Sequence, residues 1–285
     1  MDEFDIYLES TGSMNIYNGN TMASFRNLLV HPIHLEGDWR VALAEIIFPT
    51  RVKNITTSDF FIYTPETPYS SSGLSSSENT SGLIKREDWS DNAVFPDGEI
   101  RSIWPILTTL QAGSKSKQPL LSAKEDDGNN VELTFKDGYG ISVRDRTLFD
   151  VLGFNGVPDP NRGGFFLGNN SLVKKMSQPI VNDYPSDITA GTNMFFLNTN
   201  IIEHQHVAGV KSPLLRIIEN TRKISDGKLQ VNSTTSHKTF TDLQFKKLIT
   251  STIEEIQIEL VTVTGHKVPF VGTGRVAITL KFRKF

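Results

Sequence analysis

The chain has 285 residues, 38% of them hydrophobic and 21% charged, with a formal net charge of −3 and no cysteine. That balance describes a folded globular chain rather than a disordered one, and it gives no general pull toward nucleic acid or an anionic membrane. The missing thiols exclude disulfides, zinc–thiolate sites and thiol catalysis, so durability has to come from packing or assembly.

The length is ample for one large all-β domain or two small ones. Apolar runs such as Val41 to Phe48 are too short to span a bilayer. Met1-Asp2-Glu3-Phe4-Asp5 is acidic where a signal peptide is basic and then apolar, and Asp2 does not fit N-terminal myristoylation. Synthesis without a signal peptide is therefore expected.

In chain order, Phe4 to Leu8 alternates and reads as a first strand, and Ser13 to Tyr17 as a second, closed by the Asn18-Gly19-Asn20 turn. Phe25, Leu28 and Leu29 lead through His31-Pro32-Ile33 to a turn at Glu36-Gly37-Asp38. Trp39 to Phe48 is the strongest interior strand. Trp39, Val41 and Leu43 point one way and Ala42, Ala44 and Ile46 the other, so both faces are expected to be covered. Asp59 to Tyr63 is a short aromatic strand. The composition of residues 64–92, rich in Ser at its start, predicts a long loop insertion.

Ser102 to Leu110 carries Ile103, Ile106, Leu107 and Leu110 at helical spacing, with Ser102 as N-cap and Pro105 in the first turn. Val131 to Phe135 and Gly140 to Val143 read as a hairpin across Lys136-Asp137-Gly138-Tyr139, and Thr147 to Leu152 as one or two helical turns. Residues 154–192 are rich in Gly, Pro, Asn and Asp and read as a second loop insertion. Asn193 to Ile202 and Pro213 to Ile218 return to strand. Finally, Ile253 to Phe285 gives two strands with a glycine-containing turn between them: Ile256, Ile258 and Leu260 alternate with Glu255, Gln257 and Glu259, then Val276, Ile278, Leu280 and Phe282 with Ala277, Thr279, Lys281 and Arg283. These elements predict an all-β chain, a single jelly-roll sandwich of about eight core strands over residues 1–285, with the two insertions and one or two short helices.

No set of reacting groups stands out. His204 and His206 lie two apart where a strand ends, which puts both imidazoles on one face, but Val210 and Lys211 occupy the positions where a cupin-like site places its glutamate. An exposed loop edge accounts for them better than a metal. Neither Gly163-Gly164 nor Gly272-Thr273-Gly274 sits between a strand and a helix as a phosphate loop requires, and no Gly-x-Ser-x-Gly elbow is present. Glu125-Asp126-Asp127 leads into a solvated turn, and Glu254-Glu255 belongs to an alternating strand. The basic Lys281-Phe282-Arg283-Lys284 end reads as the wet face of a strand. The Asn-x-Ser/Thr sequons at Asn54, Asn79, Asn169 and Asn232 read as chance. Phe165-Phe166, in a Gly/Asn-rich stretch, is the one aromatic pair considered as an exposed contact. No catalytic, cofactor-binding or metal residues are therefore assigned.

Three blocks, taken in order, resemble a known family. The first is Ser13-Met14, Tyr17, Asn20-Thr21, Phe25 and Leu28, followed by Pro32-Ile33, Leu35 and Gly37-Asp38-Trp39-Arg40-Val41-Ala42-Leu43-Ala44-Glu45-Ile46. The second runs Phe195-Phe196-Leu197-Asn198-Thr199-Asn200-Ile201-Ile202-Glu203, Val207-Ala208-Gly209 and Pro213-Leu214-Leu215-Arg216-Ile217-Ile218. The third is Phe245, Ile253-Glu254-Glu255-Ile256-Gln257-Ile258, Thr264-Gly265, Val268-Pro269-Phe270 and Val276-Ala277-Ile278-Thr279-Leu280-Lys281-Phe282-Arg283. Asp97-Gly98 ahead of the Ser102 helix, and Leu148 with Leu152-Gly153-Phe154, fit the same pattern.

Together they resemble the penton, or minor capsid, proteins of Polinton (Maverick) elements and adintovirus-like viruses, over about half of the chain. The resemblance implies a single jelly roll in the virion, forming a homopentamer at the five-fold vertices of an icosahedral capsid, beside a double-jelly-roll major capsid protein. It implies no enzyme activity, no cofactor and no direct nucleic-acid or membrane binding. It leaves the pentamer-interface residues unassigned. The rival reading is a jelly-roll attachment module that holds a host receptor or glycan through its long loops; an enzyme ranks third.

Overall fold

The computed structural model describes residues 2–54, 59–63, 90–94, 100–112, 121–126, 130–135, 140–143, 147–155, 157–159, 164–168, 180–207, 209–225, 228–230, 233–263 and 265–285. The chain divides into two compact units where the sequence predicts one domain carrying two loops. The first comprises residues 1–53, 191–223 and 230–285, and the second residues 54–190 and 224–229. The 64–92 insertion lies outside the described residues except for 90–92, which open a strand. Within 154–192 the described residues include three short strands, Val157–Asp159, Gly164–Gly168 and Ile180–Val181.

The first unit contains eight main strands: β1 Glu3–Glu9, β2 Ser24–His34, β3 Trp39–Pro49, β4 Met194–Thr199, β5 Leu214–Glu219, β6 Thr235–Thr239, β7 Thr252–Val261 and β8 Ala277–Lys284. They form two antiparallel sheets ordered β1-β8-β3-β6 and β5-β4-β7-β2, with the two-residue strand Lys246–Lys247 also paired to β3. Every connection except β4 to β5 crosses between the sheets. This strand order is a jelly roll.

Alternation in each strand fills the space between the sheets. Leu8, Phe25, Val41, Phe48, Phe195, Leu215, Ile256, Leu260, Ile278 and Phe282 share one core. Phe48 and Phe195, from opposite sheets, meet edge-on at 5.9 Å between ring centres.

Several expectations change here. Trp39, Val41 and Leu43 face the core as expected, but so do Ile46 and Phe48. The register against β8 shifts between Leu280, opposite Leu43, and Thr279, opposite Glu45. The extra residue, Ala44, is a β-bulge that reverses the alternation, so the large apolar side chains of the strand share one core face, while Ala42 on the other face is also fully buried. The last two strands lie in different sheets, β7 in one and β8 in the other, and both contribute to the core.

Ser13 to Tyr17 is a turn, not a strand: the amides of Ile16 and Tyr17 both donate to the Ser13 carbonyl, and Ser13 has a φ of 53°. β2 runs through Pro32, which its edge position and its register shift between Leu28 and Ile33 accommodate.

The second unit has its own core, built by Ile103, Ile106, Leu107 and Leu110 of helix α1 (Ile103–Ala112), Leu148, Phe149, Val151 and Leu152 of helix α2 (Thr147–Leu152), and Val131, Leu133, Phe154 and Leu229. Both helices sit where their spacing predicts. The hairpin does not: Val131–Phe135 pairs with Leu121–Glu125 and Ile180–Val181, while Gly140–Val143 pairs with Asp59–Tyr63 and Gly164–Gly168. The actual reversal is at Asp126 and Asn130, where the Asp126 carboxylate accepts from the Asn130 amide at 2.8 Å and its side chain at 2.9 Å. Residues 136–139 lie outside the described set.

Candidate functional site

The groups singled out for chemistry are not brought together. His204 and His206 are exposed, His206 on the short strand Gln205–Val207 that pairs with Val210–Ser212. Among the described residues no three His, Asp or Glu side chains form a group able to hold a metal ion. Glu255 accepts a 2.5 Å hydrogen bond from the Tyr17 hydroxyl, with Arg26 3.9 Å away. That bond, donated to a carboxylate, raises the Tyr17 pKa above the ordinary phenol value and ties the 10–20 turn onto β7.

Asn54 is fully buried, its Nδ2 donating to the carbonyls of Ile100 and Ile188 and its Oδ1 accepting from the Ile100 amide. Its amide is therefore occupied by the fold. Asn79, Asn169 and Asn232 lie outside the described residues, as do Gly163, Asp97, Gly98 and the side chains of Phe165 and Phe166.

What the first unit offers instead is surface, and its two sheets differ. The outer face of β1-β8-β3-β6 is charged. Glu3 receives Arg283 at 3.0 Å and Lys281 at 3.6 Å, and Lys281 also lies 3.5 Å from Asp5. The Arg283 hydrogen bond, aided by Lys281, lowers the Glu3 pKa below its ordinary value. Glu9 pairs with Arg275 at 2.7 Å, which raises the arginine's pKa, and Asp38 is lowered by Arg40. Glu45 accepts from His237 and, at 3.2 Å, from Thr279. The basic C-terminal run is thus the wet face of a strand, neutralised by its acidic neighbour.

The outer face of β5-β4-β7-β2 carries an apolar row. Phe196 lies opposite Ile217 of β5 and Val261 of β7, and Met194 shares its face two residues away. Ile217 is 48% exposed. Next to this row the face turns polar at Asn198, Glu259 and Ser24. Core and surface hydrophobics alternate without distinction in Met194-Phe195-Phe196-Leu197, so the row is not legible in the sequence until the phase of β4 is known.

No family model matches the chain, and no curated protein does. Solved structures do. The mavirus penton protein covers 100% of this chain and 100% of its own at 8% identity, with a TM-score of 0.45. A chain of the Sputnik virophage structure covers 100% of this chain and 98% of its own at 11% identity, with a TM-score of 0.43.

Proposed function

We propose that the protein is a penton: a structural virion subunit that forms homopentamers at the five-fold vertices of an icosahedral capsid, beside a double-jelly-roll major capsid protein. The observation that carries this reading is the coincidence of the family-like blocks with the jelly roll. The three blocks supply β2 and β3, then β4 and β5, then β7 and β8, six of the eight strands in order. The stretches that do not match the family-like blocks, the Ser-rich 64–82 and the Gly/Asn-rich 154–192, fall in the other unit almost entirely. A vertex protein acts by presenting surfaces that close a ring, and needs no reacting groups, cofactor, nucleic acid or membrane.

The test is the solution mass by light scattering after size exclusion, with negative-stain images of the same peak, for the protein alone and co-expressed with the major capsid protein. Five copies of the 31.8 kDa chain give about 159 kDa. That mass with five-fold rings is expected. A stable trimer that retains glycans on an array instead identifies an attachment module, and a monomer under both conditions rejects the vertex role.

A further inference from the structure

Among the described residues, the sheet β1-β8-β3-β6 ends on strands that have a neighbour on one side only. On β1 the even-numbered side of the backbone faces β8: the Asp2 carbonyl accepts from Lys284 N at 2.9 Å and Ser10 N donates to the Val276 carbonyl at 2.8 Å. Backbone groups alternate along an antiparallel strand, so Glu3, Asp5 and Tyr7 turn their N–H and C=O outward. Glu9 does the same, but both its groups are taken by the Asn27 side chain, at 3.2 and 3.1 Å.

On β6 the Thr234 carbonyl accepts from Thr50 N and Phe240 N donates to the Ala44 carbonyl, which leaves His237 and Thr239 facing outward. Thr235 is closed by the Ser233 hydroxyl.

The edge β2 shows what a protected edge looks like. The Asn20 side chain bonds both the N and O of Arg26, the Ser13 hydroxyl accepts from Leu28 N, and a register shift and Pro32 follow. β1 has no proline and an unbroken register of seven residues against β8. It is an open template.

Charge selects what fits it. β1 carries Glu3, Asp5 and Glu9 and no base, while β6 carries His237 on its exposed face, Lys238 on the other, and no acid; further along the same edge, past Asp242, Lys246 and Lys247 are bonded to Gln205 and Glu203. Glu3 and Asp5 stand outside the bases Arg283 and Lys281, and His237 stands outside the acid Glu45. Setting β6 against β1 continues this alternation, whereas β1 against β1 or β6 against β6 places like charges side by side. Direction agrees as well: three antiparallel steps separate β1 from β6, so the two edges of successive copies meet antiparallel. On both strands the outward-facing residues also carry exposed side chains, so the pairing keeps the solvent faces of the two sheets on one side.

We propose that β1 of one copy pairs with β6 of the next, so that the ring is closed by continuing this sheet from subunit to subunit. Each copy offers one of each edge, the head-to-tail arrangement that a ring requires. The inference rests on the pentamer reading and names its interface.

Tyr7→Pro and His237→Pro each remove one outward N–H at an edge position where the strand's own pairing is untouched; Tyr7→Ala and His237→Ala keep it. Each proline variant is expected to remain folded by circular dichroism and to fall from five copies to one, while the alanine variants keep the wild-type mass. Mixed, the two proline variants have one good edge each and are expected to form a heterodimer that neither forms alone. A second series covers a proline variant that does not fold. Glu3→Lys with Asp5→Lys is expected to raise the concentration needed for rings by roughly tenfold or more, and His237→Glu with Thr239→Glu, both on the exposed face of β6, in the same chain to bring it back.

Proline variants that stay pentameric, alanine variants that lose the ring equally, or charge reversal without rescue overturn the edge pairing while leaving the vertex role in place. Wild-type protein that forms no five-copy ring, alone or with the major capsid protein, overturns both.

Discussion

Two asparagines and two glycines hold much of the local geometry. Asn27 is buried and spans from β2 to β1, giving Glu9 the acceptor and donor that a neighbouring strand would supply. A Cβ on Gly12 would overlap the Asn27 side-chain nitrogen, so a glycine is needed beside it. Asn27→Leu leaves the Glu9 N–H without its partner and the Glu9 carbonyl with the Gly12 N–H alone, and is expected to cost about 1–3 kcal/mol in urea unfolding. Asn54→Ala orphans one amide and two carbonyls in the second unit, and an expected loss of roughly 2–4 kcal/mol is read the same way. Gly153 ends α2 at a φ of 80°, with Phe154 N bonded to the Phe149 carbonyl and Gly153 N to that of Asp150, the Schellman pattern. Gly153→Ala is both strained and blocked by the Tyr184 carbonyl, so it is expected to destabilise α2 by more than about 1 kcal/mol, visible as faster amide exchange at Phe154.

At the scale of the element, the strands whose alternation runs unbroken were legible from sequence and the exceptions were not. β7 keeps period two from Ile256 to Leu260 and β8 from Ile278 to Phe282, where the buried residues are those the alternation names; Ile253, three residues before Ile256, and the buried Ala277 fall outside it. β3 misleads because one inserted residue, Ala44, exchanges the faces half-way along, and a bulge has no composition of its own. Deleting Ala44 should turn Ile46 and Phe48 outward or force a shift against β8; the expected result is an insoluble or unfolded protein, whereas a soluble variant with the wild-type melt would show that the bulge is dispensable. The charged ladder belongs to this scale too. Because Arg283 and Lys281 lower the Glu3 pKa, the ladder's contribution is complete above the ordinary carboxylate value of 4.5 and is lost as pH falls below it. Glu3→Gln is expected to lower stability slightly in the neutral region and not at acid pH, which flattens the acid limb of the profile. Added salt should shrink the difference, since these side chains are exposed.

For the molecule as a whole, the jelly roll was legible because its strands lie in sequence blocks that alternate, and the second unit was not, because its strands are short and separated by long irregular stretches. Leu121–Glu125 is five residues long, with Ala123 buried among those described, and Ile180–Val181 is two residues long, so neither is long enough to carry a clear period. The helices α1 and α2 were visible singly, but nothing in their sequence announces that Ile106, Leu110, Phe149 and Leu152 meet in a core separate from that of Phe48, Phe195 and Phe282. Two cores imply two stabilities. Phe195→Ala and Phe149→Ala each remove a fully buried ring, a loss of about 3–5 kcal/mol. Residue-resolved hydrogen exchange is expected to show Phe195→Ala accelerating β4, β7 and β8 while α1 and α2 keep their protection, with the reverse pattern for Phe149→Ala. Uniform loss of protection from either substitution would mean that the chain unfolds as one cooperative unit, and the division into two would then be one of packing rather than of stability.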